Sequence, residues 1–167
     1  MSAPETPQKS HYLFPGELFA QREPHLVSTV LGSCISVCLW DPVAAVGGIN
    51  HFLLPLWNGE GLPTPKYGNV AIPRLWEKML SLGCAPARIQ AKVFGGSAMW
   101  NATEGLLAVG VRNIELADNM LREMGIPVVS KDVGGTQSRK IIFHSADGTV
   151  MLRRHNALAS QRPAEND

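Results

Sequence analysis

Cys34 and His51 are the residues of this sequence whose types and spacing suit covalent chemistry. Cys34 comes directly after a Gly-Ser turn and begins an apolar segment, and His51 lies in the next apolar segment along the chain. A cysteine placed after such a turn can expose its sulfur while the chain beyond it is buried. The N–H groups of the turn can stabilise a thiolate or the oxyanion of a tetrahedral intermediate. A histidine on an adjacent strand could serve as the base for that thiol.

Spacing alone is also compatible with a packing role or a metal site. In the first case, Cys34 is a small buried apolar residue and His51 is a hydrogen-bonded strand histidine. In the second, Cys34, Cys38, His51 and Cys84 bind a metal ion. The metal site is disfavoured, because strand residues four positions apart lie about 13 Å from each other, too far to share one zinc ion. Cys38 and Cys84 are predicted to be packing residues, and no metal is expected.

The composition excludes several classes of protein. The chain has 167 residues, with 15 Lys and Arg against 14 Asp and Glu, so its net charge is +1. This near-neutral charge argues against a surface that neutralises many phosphates, and no nucleic-acid partner is expected. Three cysteines, an odd and small number, predict an intracellular chain without a disulfide framework. No apolar run is long enough for membrane insertion, so a cytoplasmic location is predicted.

Short apolar stretches rich in Val, Ile and Leu predict a mixture of strands and helices. The predicted strands are Leu26–Leu31, Cys34–Trp40, Val46–Leu54, Ile89–Phe94, Val128–Asp132, Lys140–His144 and Thr149–Arg153. Asp41-Pro42 and Ser145-Ala146-Asp147-Gly148 are turn signals between consecutive strands.

Apolar residues at helical spacing predict two helices, Ile72–Leu82 and Asn113–Met124, which end at Gly83 and Gly125. A third, weaker helix is predicted from Gly96-Ser97 toward Gly105. These elements indicate one α+β or α/β domain over residues 13–152. Residues 1–12 and 153–167 are predicted to be flexible tails.

Several motifs in a fixed order resemble one known family, the chemoreceptor glutamine deamidases (CheD) of bacterial chemotaxis. The resemblance extends from Gly16 to Leu152. Its motifs are Leu31-Gly32-Ser33-Cys34-Ile35-Ser36-Val37, Gly47-Gly48-Ile49-Asn50-His51-Phe52-Leu53-Leu54-Pro55, Tyr67-Gly68-Asn69, Lys92-Val93-Phe94-Gly95-Gly96-Ser97-Ala98, Val109-Gly110-Val111-Arg112-Asn113, and Gly134-Gly135 with Ser138-Arg139-Lys140.

This resemblance implies a site and a fold. Cys34 would be the nucleophile, His51 its base and Ser28 the hydroxyl that orients the histidine. The family has a threonine at that third position, and Thr29 stands beside Ser28. Ser28 is preferred because strand residues 28, 30 and 32 share one face.

Ser33, Gly32, Asn50, Gly95 and Gly96 are candidates for contacting the substrate or its oxyanion. The implied fold is a β-sandwich-like mixed-sheet core with two or three helices packed outside, similar to cysteine deamidase toxins.

The implied activity is hydrolysis of glutamine side-chain amides to glutamate in methyl-accepting chemotaxis receptors, through a cysteine thioester and without a cofactor. A CheC-type chemotaxis phosphatase is a further implied partner. Two alternatives remain: a regulatory module that binds such a phosphatase, and a hydrolase of receptor glutamate methyl esters that uses the same cysteine and histidine.

Overall fold

Strands dominate the fold, which we describe from a computed structural model for residues 8–98 and 104–156. In chain order the strands are β1 (Lys9–Tyr12), β2 (Leu18–Gln21), β3 (His25–Leu31), β4 (Ile35–Asp41), β5 (Val46–Asn50), β6 (Gln90–Gly95), β7 (Val128–Val133), β8 (Gln137–His144) and β9 (Val150–Asn156). Helix α1 (Gly68–Ser81) follows β5, and helix α2 (Glu104–Glu123) follows β6.

The strands form two mixed sheets. A four-stranded sheet has the order β1-β3-β8-β9, and a five-stranded sheet has the order β2-β5-β4-β6-β7. Each sheet contains one parallel pair, β1 with β3 and β6 with β7, and the other pairs are antiparallel. The prediction of an α+β fold with a sheet-rich core and helices outside is confirmed.

Two apolar cores hold three layers together. One core lies between the two sheets, and its members include Leu31, Ile49 and Phe143. The other lies between the five-stranded sheet and the two helices, and it includes Ile35 and Phe52. Because successive strand residues point to opposite faces, the residues of the five-stranded sheet alternate between these cores. The site described below lies on the intersheet face.

Helix α2 begins well before the predicted start at Asn113. The sequence favours the later start because Gly105 and Gly110 are poor helix formers. Close packing requires glycine at position 110, because a Cβ there would lie 2.8 Å from the carbonyl oxygen of Gly96. The segment from Gly96 to residue 98 is irregular, and the rest of the predicted third helix up to residue 103 lies outside the described residues.

The predicted tails contain strand residues at both ends. Lys9–Tyr12 form β1 within the predicted N-terminal tail, and β9 runs to Asn156, beyond the predicted boundary at residue 153. Both strands lie at edges of the four-stranded sheet and carry many exposed residues, so they lack the apolar pattern of a buried strand. Strand β2 is likewise absent from the sequence prediction. Within the described residues, no helix is long and apolar enough to cross a membrane.

Asp41 anchors the turn that follows β4. Its carboxylate is fully buried and accepts hydrogen bonds from the N–H groups of Val43, Ala44 and Ala85 and from the Arg88 guanidinium. Burial opposes ionisation, but these hydrogen bonds outweigh it and hold the pKa of Asp41 well below its usual range.

Asp41→Ala should therefore lower the free energy of unfolding by about 2–4 kcal/mol, because three backbone donors and the guanidinium lose their acceptor. Urea titration measures this loss, with Asp118→Ala at a partly exposed ion pair as the control. Only the ionised carboxylate of Asp41 stabilises the fold in this way. It should diminish below about pH 4, where the unfolded chain binds a proton and the folded chain does not. An unchanged unfolding midpoint would contradict the anchoring role.

Candidate active site

Cys34 lies in the connection between β3 and β4, one residue before β4 begins. Its side chain is partly exposed and packs against the intersheet core. The carbonyl oxygen of Cys34 accepts a hydrogen bond from the N–H of Gly96 at 2.8 Å. The carbonyl oxygen of Gly32 accepts one from the N–H of Ser97 at 2.9 Å. These two hydrogen bonds connect residues 32–34, which we call the cysteine loop, to the segment that follows β6. The Cys34 thiol remains partly exposed.

His51 follows β5 and is held through its backbone. Its N–H donates to the carbonyl oxygen of Glu17 at 3.2 Å, and its own carbonyl oxygen accepts from Gly16 at 2.8 Å. The next residue, Phe52, exchanges two hydrogen bonds with Ile35, of 3.0 and 3.1 Å. These contacts fix the position of the histidine relative to the start of β4.

The paired residues Ile35 and Phe52 determine where their neighbours point. Both belong to the core on the helix side, so Cys34 and His51, each one residue earlier, project to the intersheet side. In this antiparallel register Cys34 and His51 are diagonal neighbours, a relation that places Cα atoms about 7–8 Å apart. The structure therefore brings the predicted thiol and imidazole to the same face at one end of the sheet.

Thr29 determines which nitrogen of His51 carries the proton. The Thr29 hydroxyl lies 2.7 Å from Nδ1 of His51 and 2.7 Å from the carbonyl oxygen of Leu13. A carbonyl oxygen only accepts, so the single hydroxyl proton is directed to Leu13 and the hydroxyl oxygen accepts from Nδ1–H. The neutral ring is thus protonated on Nδ1, and the lone pair is on Nε2.

The prediction that Ser28 orients His51 is wrong in this structure, because Thr29 makes the contact. Along β3 the odd-numbered residues are buried and the even-numbered ones are less so. Residues 28 and 30 do share a face, as predicted, but it is the outer face of the four-stranded sheet. Ser28 pairs in register with Tyr12 on one side and Ile142 on the other.

Thr29→Val should lower kcat about 10²-fold while the protein stays folded, because valine keeps the shape of threonine but cannot accept from Nδ1–H. Thr29→Ser should recover most of the lost activity, and Ser28→Ala should stay within about threefold of the wild type. Steady-state assays of the three variants measure this. A larger loss from Ser28→Ala than from Thr29→Val would contradict the assignment.

Burial keeps both members of the candidate pair neutral. It raises the pKa of the Cys34 thiol and lowers the pKa of His51 to about 4. His51 is 2 % exposed, and within the described residues its Nε2 has no hydrogen-bond partner. At neutral pH the site therefore holds a thiol and an imidazole with a free lone pair, which suits proton removal from the thiol as it attacks.

Gly95 and Gly96 shape the cysteine loop, and their conformations require glycine. Their φ angles are 109° and 73°, and a Cβ on Gly95 would lie 2.1 Å from the carbonyl oxygen of Cys34. The N–H of Gly96 already donates to that oxygen. Gly96 is therefore unavailable as an oxyanion donor. Gly95 allows the close approach of β6 to Cys34, and Gly96 allows the close approach of α2, because a Cβ there would lie 2.5 Å from the Ile114 side chain.

Arg139 of β8 connects the four-stranded sheet to the segment around Gly95. Its buried guanidinium donates to the Asp132 carboxylate at 2.7 Å and to the carbonyl oxygen of Gly134 at 2.7 Å. The N–H of Gly134 in turn donates to the carbonyl oxygen of Gly95 at 2.9 Å. This chain of contacts connects the Gly-Gly and Arg-Lys motifs of the sequence to the cysteine loop.

The remaining predicted residues divide into two groups. Gly32 and Ser33 belong to the loop before Cys34, and no acceptor in the described part of the chain binds the N–H groups of Ser33 and Cys34. Asn50 lies on the opposite face of β5 from His51, fully buried, where its Oδ1 accepts from the N–H of Val37 at 2.9 Å. The prediction that Asn50 contacts the substrate is wrong, because its side chain completes the pairing of β4 with β5.

Comparison with known proteins assigns the chain to a family. The family model described as CheD chemotactic sensory transduction matches residues 53–154, which is more than half of the chain. This chain belongs to the CheD family. A protein of Trichlorobacter lovleyi named "Probable chemoreceptor glutamine deamidase CheD" is 48% identical over 149 residues, which cover 89% of this chain and 92% of the relative.

A second CheD relative, from Sulfurimonas denitrificans and with the same name, is 46% identical over 144 residues, covering 85% of this chain and 92% of the relative. The CheD family model begins its match just after His51. The alignment with the Trichlorobacter protein, however, leaves too few residues of this chain unaligned to omit Cys34 or His51. Similarity to the CheD family therefore includes the candidate site.

Proposed function

We propose that this protein deamidates glutamine side chains of methyl-accepting chemotaxis receptors, converting them to glutamate. The observation that carries the proposal is the hydrogen-bond series Leu13–Thr29–His51. This series leaves an unprotonated Nε2 on the same face as the accessible Cys34 thiol. The names of the CheD relatives specify the reaction and the receptor as substrate.

In the first half of the proposed reaction, Nε2 of His51 takes the thiol proton while Sγ of Cys34 attacks the side-chain carbonyl carbon of the glutamine. The N–H groups of Ser33 and Cys34 stabilise the resulting oxyanion. The imidazolium then donates its proton to the amide nitrogen, the C–N bond breaks and ammonia leaves. A thioester joins Cys34 to the receptor, so a poorly reactive amide becomes a more reactive ester.

In the second half, Nε2 of His51 removes a proton from a water molecule that attacks the thioester carbon. The tetrahedral intermediate collapses as the C–S bond breaks, and the thiolate recovers the proton from His51. The products are a glutamate side chain and free enzyme. Thr29 keeps the ring oriented in both halves, because it accepts from Nδ1–H whether the imidazole is neutral or charged.

The proposal includes a setting and a second partner. The small, odd number of cysteines favours a reducing compartment, so we propose that the protein acts in the cytoplasm. The family resemblance also implies association with a CheC-type chemotaxis phosphatase. Co-purification of this protein with such a phosphatase from the same organism tests that association separately from catalysis.

The experiment for the main proposal incubates the purified protein with a receptor cytoplasmic fragment and maps modified peptides by mass spectrometry. The expected result is conversion of particular glutamines to glutamate with stoichiometric release of ammonia. Cys38→Ala should convert them as fast as the wild type, because Cys38 is a buried packing residue. Loss of methyl groups from glutamate esters without glutamine conversion would favour the esterase alternative. Binding with no chemical change would favour the regulatory module.

A further inference from the structure

We propose that Asn113 on α2 is a positioning residue that aims the oxyanion-binding N–H of Cys34. The inference rests on the proposed function for its substrate but on separate contacts for its geometry. Asn113 is fully buried, and its Nδ2 donates to the carbonyl oxygen of Ser33 at 2.9 Å and to that of Leu53 at 3.0 Å. One amide group thus joins the segment just before Cys34 to the segment just after His51.

The orientation of the Asn113 amide follows from its partners. Both are carbonyl oxygens, which only accept, so the NH₂ group must face them. The opposite orientation would direct Oδ1 at two acceptors. Its Oδ1 is left without a hydrogen-bond partner among the described residues. Both hydrogens of this amide are therefore committed to the two segments of the site.

The bond to Ser33 acts directly on the candidate oxyanion donor. In a trans peptide the C=O and the following N–H point in opposite directions within one plane. When Asn113 holds the carbonyl oxygen of Ser33 toward the helix side, it turns the N–H of Cys34 toward the opposite side. The thiol of Cys34 and the ring of His51 face that side, so a carbonyl under attack would place its oxygen there.

Helix α2 contacts the same site at a second point one turn earlier. A Cβ on Gly110 would lie 2.8 Å from the carbonyl oxygen of Gly96 and 2.9 Å from that of Ser97. These two residues hold the cysteine loop through hydrogen bonds to Cys34 and Gly32. Gly110 and Asn113 therefore make one face of α2 a rigid support for the cysteine loop, the histidine segment and the chain leaving β6.

Two reactions of Cys34 separate an oxyanion role from a general structural role. Alkylation by iodoacetamide consumes the thiolate without forming an oxyanion, whereas acylation by p-nitrophenyl acetate passes through a tetrahedral oxyanion. Asn113→Asp and Asn113→Ala should lower the acylation rate about 10²-fold, as loss of an aligned oxyanion donor does, and leave alkylation within about threefold. Receptor deamidation by these variants should fall through kcat with KM nearly unchanged.

The controls lie on the same helix. Asn119→Asp changes an exposed asparagine that contacts Arg122, and Leu121→Ala removes packing from the helix-side core; neither should lower acylation beyond its effect on the folded fraction. Equal losses in alkylation and acylation for Asn113→Asp would overturn the positioning role. An Asn113→Asp protein that is acylated at the wild-type rate would also overturn it. If p-nitrophenyl acetate acylates the wild type but the wild type deamidates no receptor glutamine, the proposed function is wrong. The inference about Asn113 is then tested by the acylation rates alone.

Discussion

Cys34→Ala is expected to abolish receptor deamidation, with a fall in kcat/KM of about 10⁴–10⁶-fold, as when a catalytic nucleophile is removed from other acyl-transfer enzymes. The reason is chemical, since no other thiol in the described site can form a thioester with the substrate. The fold should tolerate the change, because the side chain is small and partly exposed. Thermal unfolding should show a midpoint close to that of the wild type.

Conversion of receptor glutamines, followed by mass spectrometry over long incubations, measures the loss for Cys34→Ala. Cys38→Ala and Cys84→Ala are matched controls, because both residues are buried packing cysteines. They should keep the wild-type rate if the folded fraction is equal. A Cys34→Ala protein that still converts glutamine at a tenth of the wild-type rate or faster would contradict a cysteine nucleophile.

His51→Gln should lower kcat/KM by about 10²–10⁴-fold at pH 7, because glutamine can donate to Thr29 but cannot take the thiol proton. The residual rate should rise about tenfold per pH unit over the alkaline range. In that range solvent must deprotonate a thiol whose pKa burial raises above its ordinary value. His144→Gln, on the outer side of β8, should leave the rate unchanged.

The pKa of His51 also predicts the pH profile of the wild type. The ring acts as a base only when neutral, and burial lowers its pKa to about 4. The acid limb of kcat/KM should therefore appear near pH 4, and the rate should change little between pH 6 and pH 8. An acid limb near pH 6.5, the ordinary histidine value, would contradict a buried neutral base.

Much of the candidate site follows from local sequence. The Gly-Ser turn before Cys34 and the Asp41-Pro42 turn after β4 place Cys34 and His51 on neighbouring antiparallel strands. Strand alternation then puts both side chains on one face. The family motifs indicate the same pair. The predicted helices coincide with most of α1 and with the second half of α2, and most predicted strands lie near their observed positions.

The third residue of the site cannot be chosen by the same reasoning. Alternation along β3 separates residues 28 and 29, but it does not say which set is buried. That choice depends on β1 and β8, which flank β3 and place it over the five-stranded sheet. Strand β1 itself has no apolar pattern. The apolar neighbours do not decide the choice either, because Thr29 lies between Val27 and Leu31 while Ser28 lies between Leu26 and Val30.

The role of Asn113 escapes sequence reasoning because its partners are remote along the chain. Its contacts to Ser33 and Leu53 join residues 80 and 60 positions apart, and no local pattern reports such contacts. The sequence predicts that this residue begins a helix, where asparagine is common as a cap. It lies inside α2 instead, and an asparagine at a buried position of a helix interior indicates that its amide has a specific partner.

The thioester is tested most directly by letting hydroxylamine compete with water. A thioester at Cys34 would react with hydroxylamine to give a glutamyl hydroxamate at the same receptor position. Direct attack by water on the amide would give glutamate alone. We predict hydroxamate in proportion to the hydroxylamine concentration for the wild type, and none for Cys34→Ala. Glutamate formation at the full rate with no hydroxamate, at hydroxylamine concentrations that trap a model thioester, would contradict cysteine catalysis by this site.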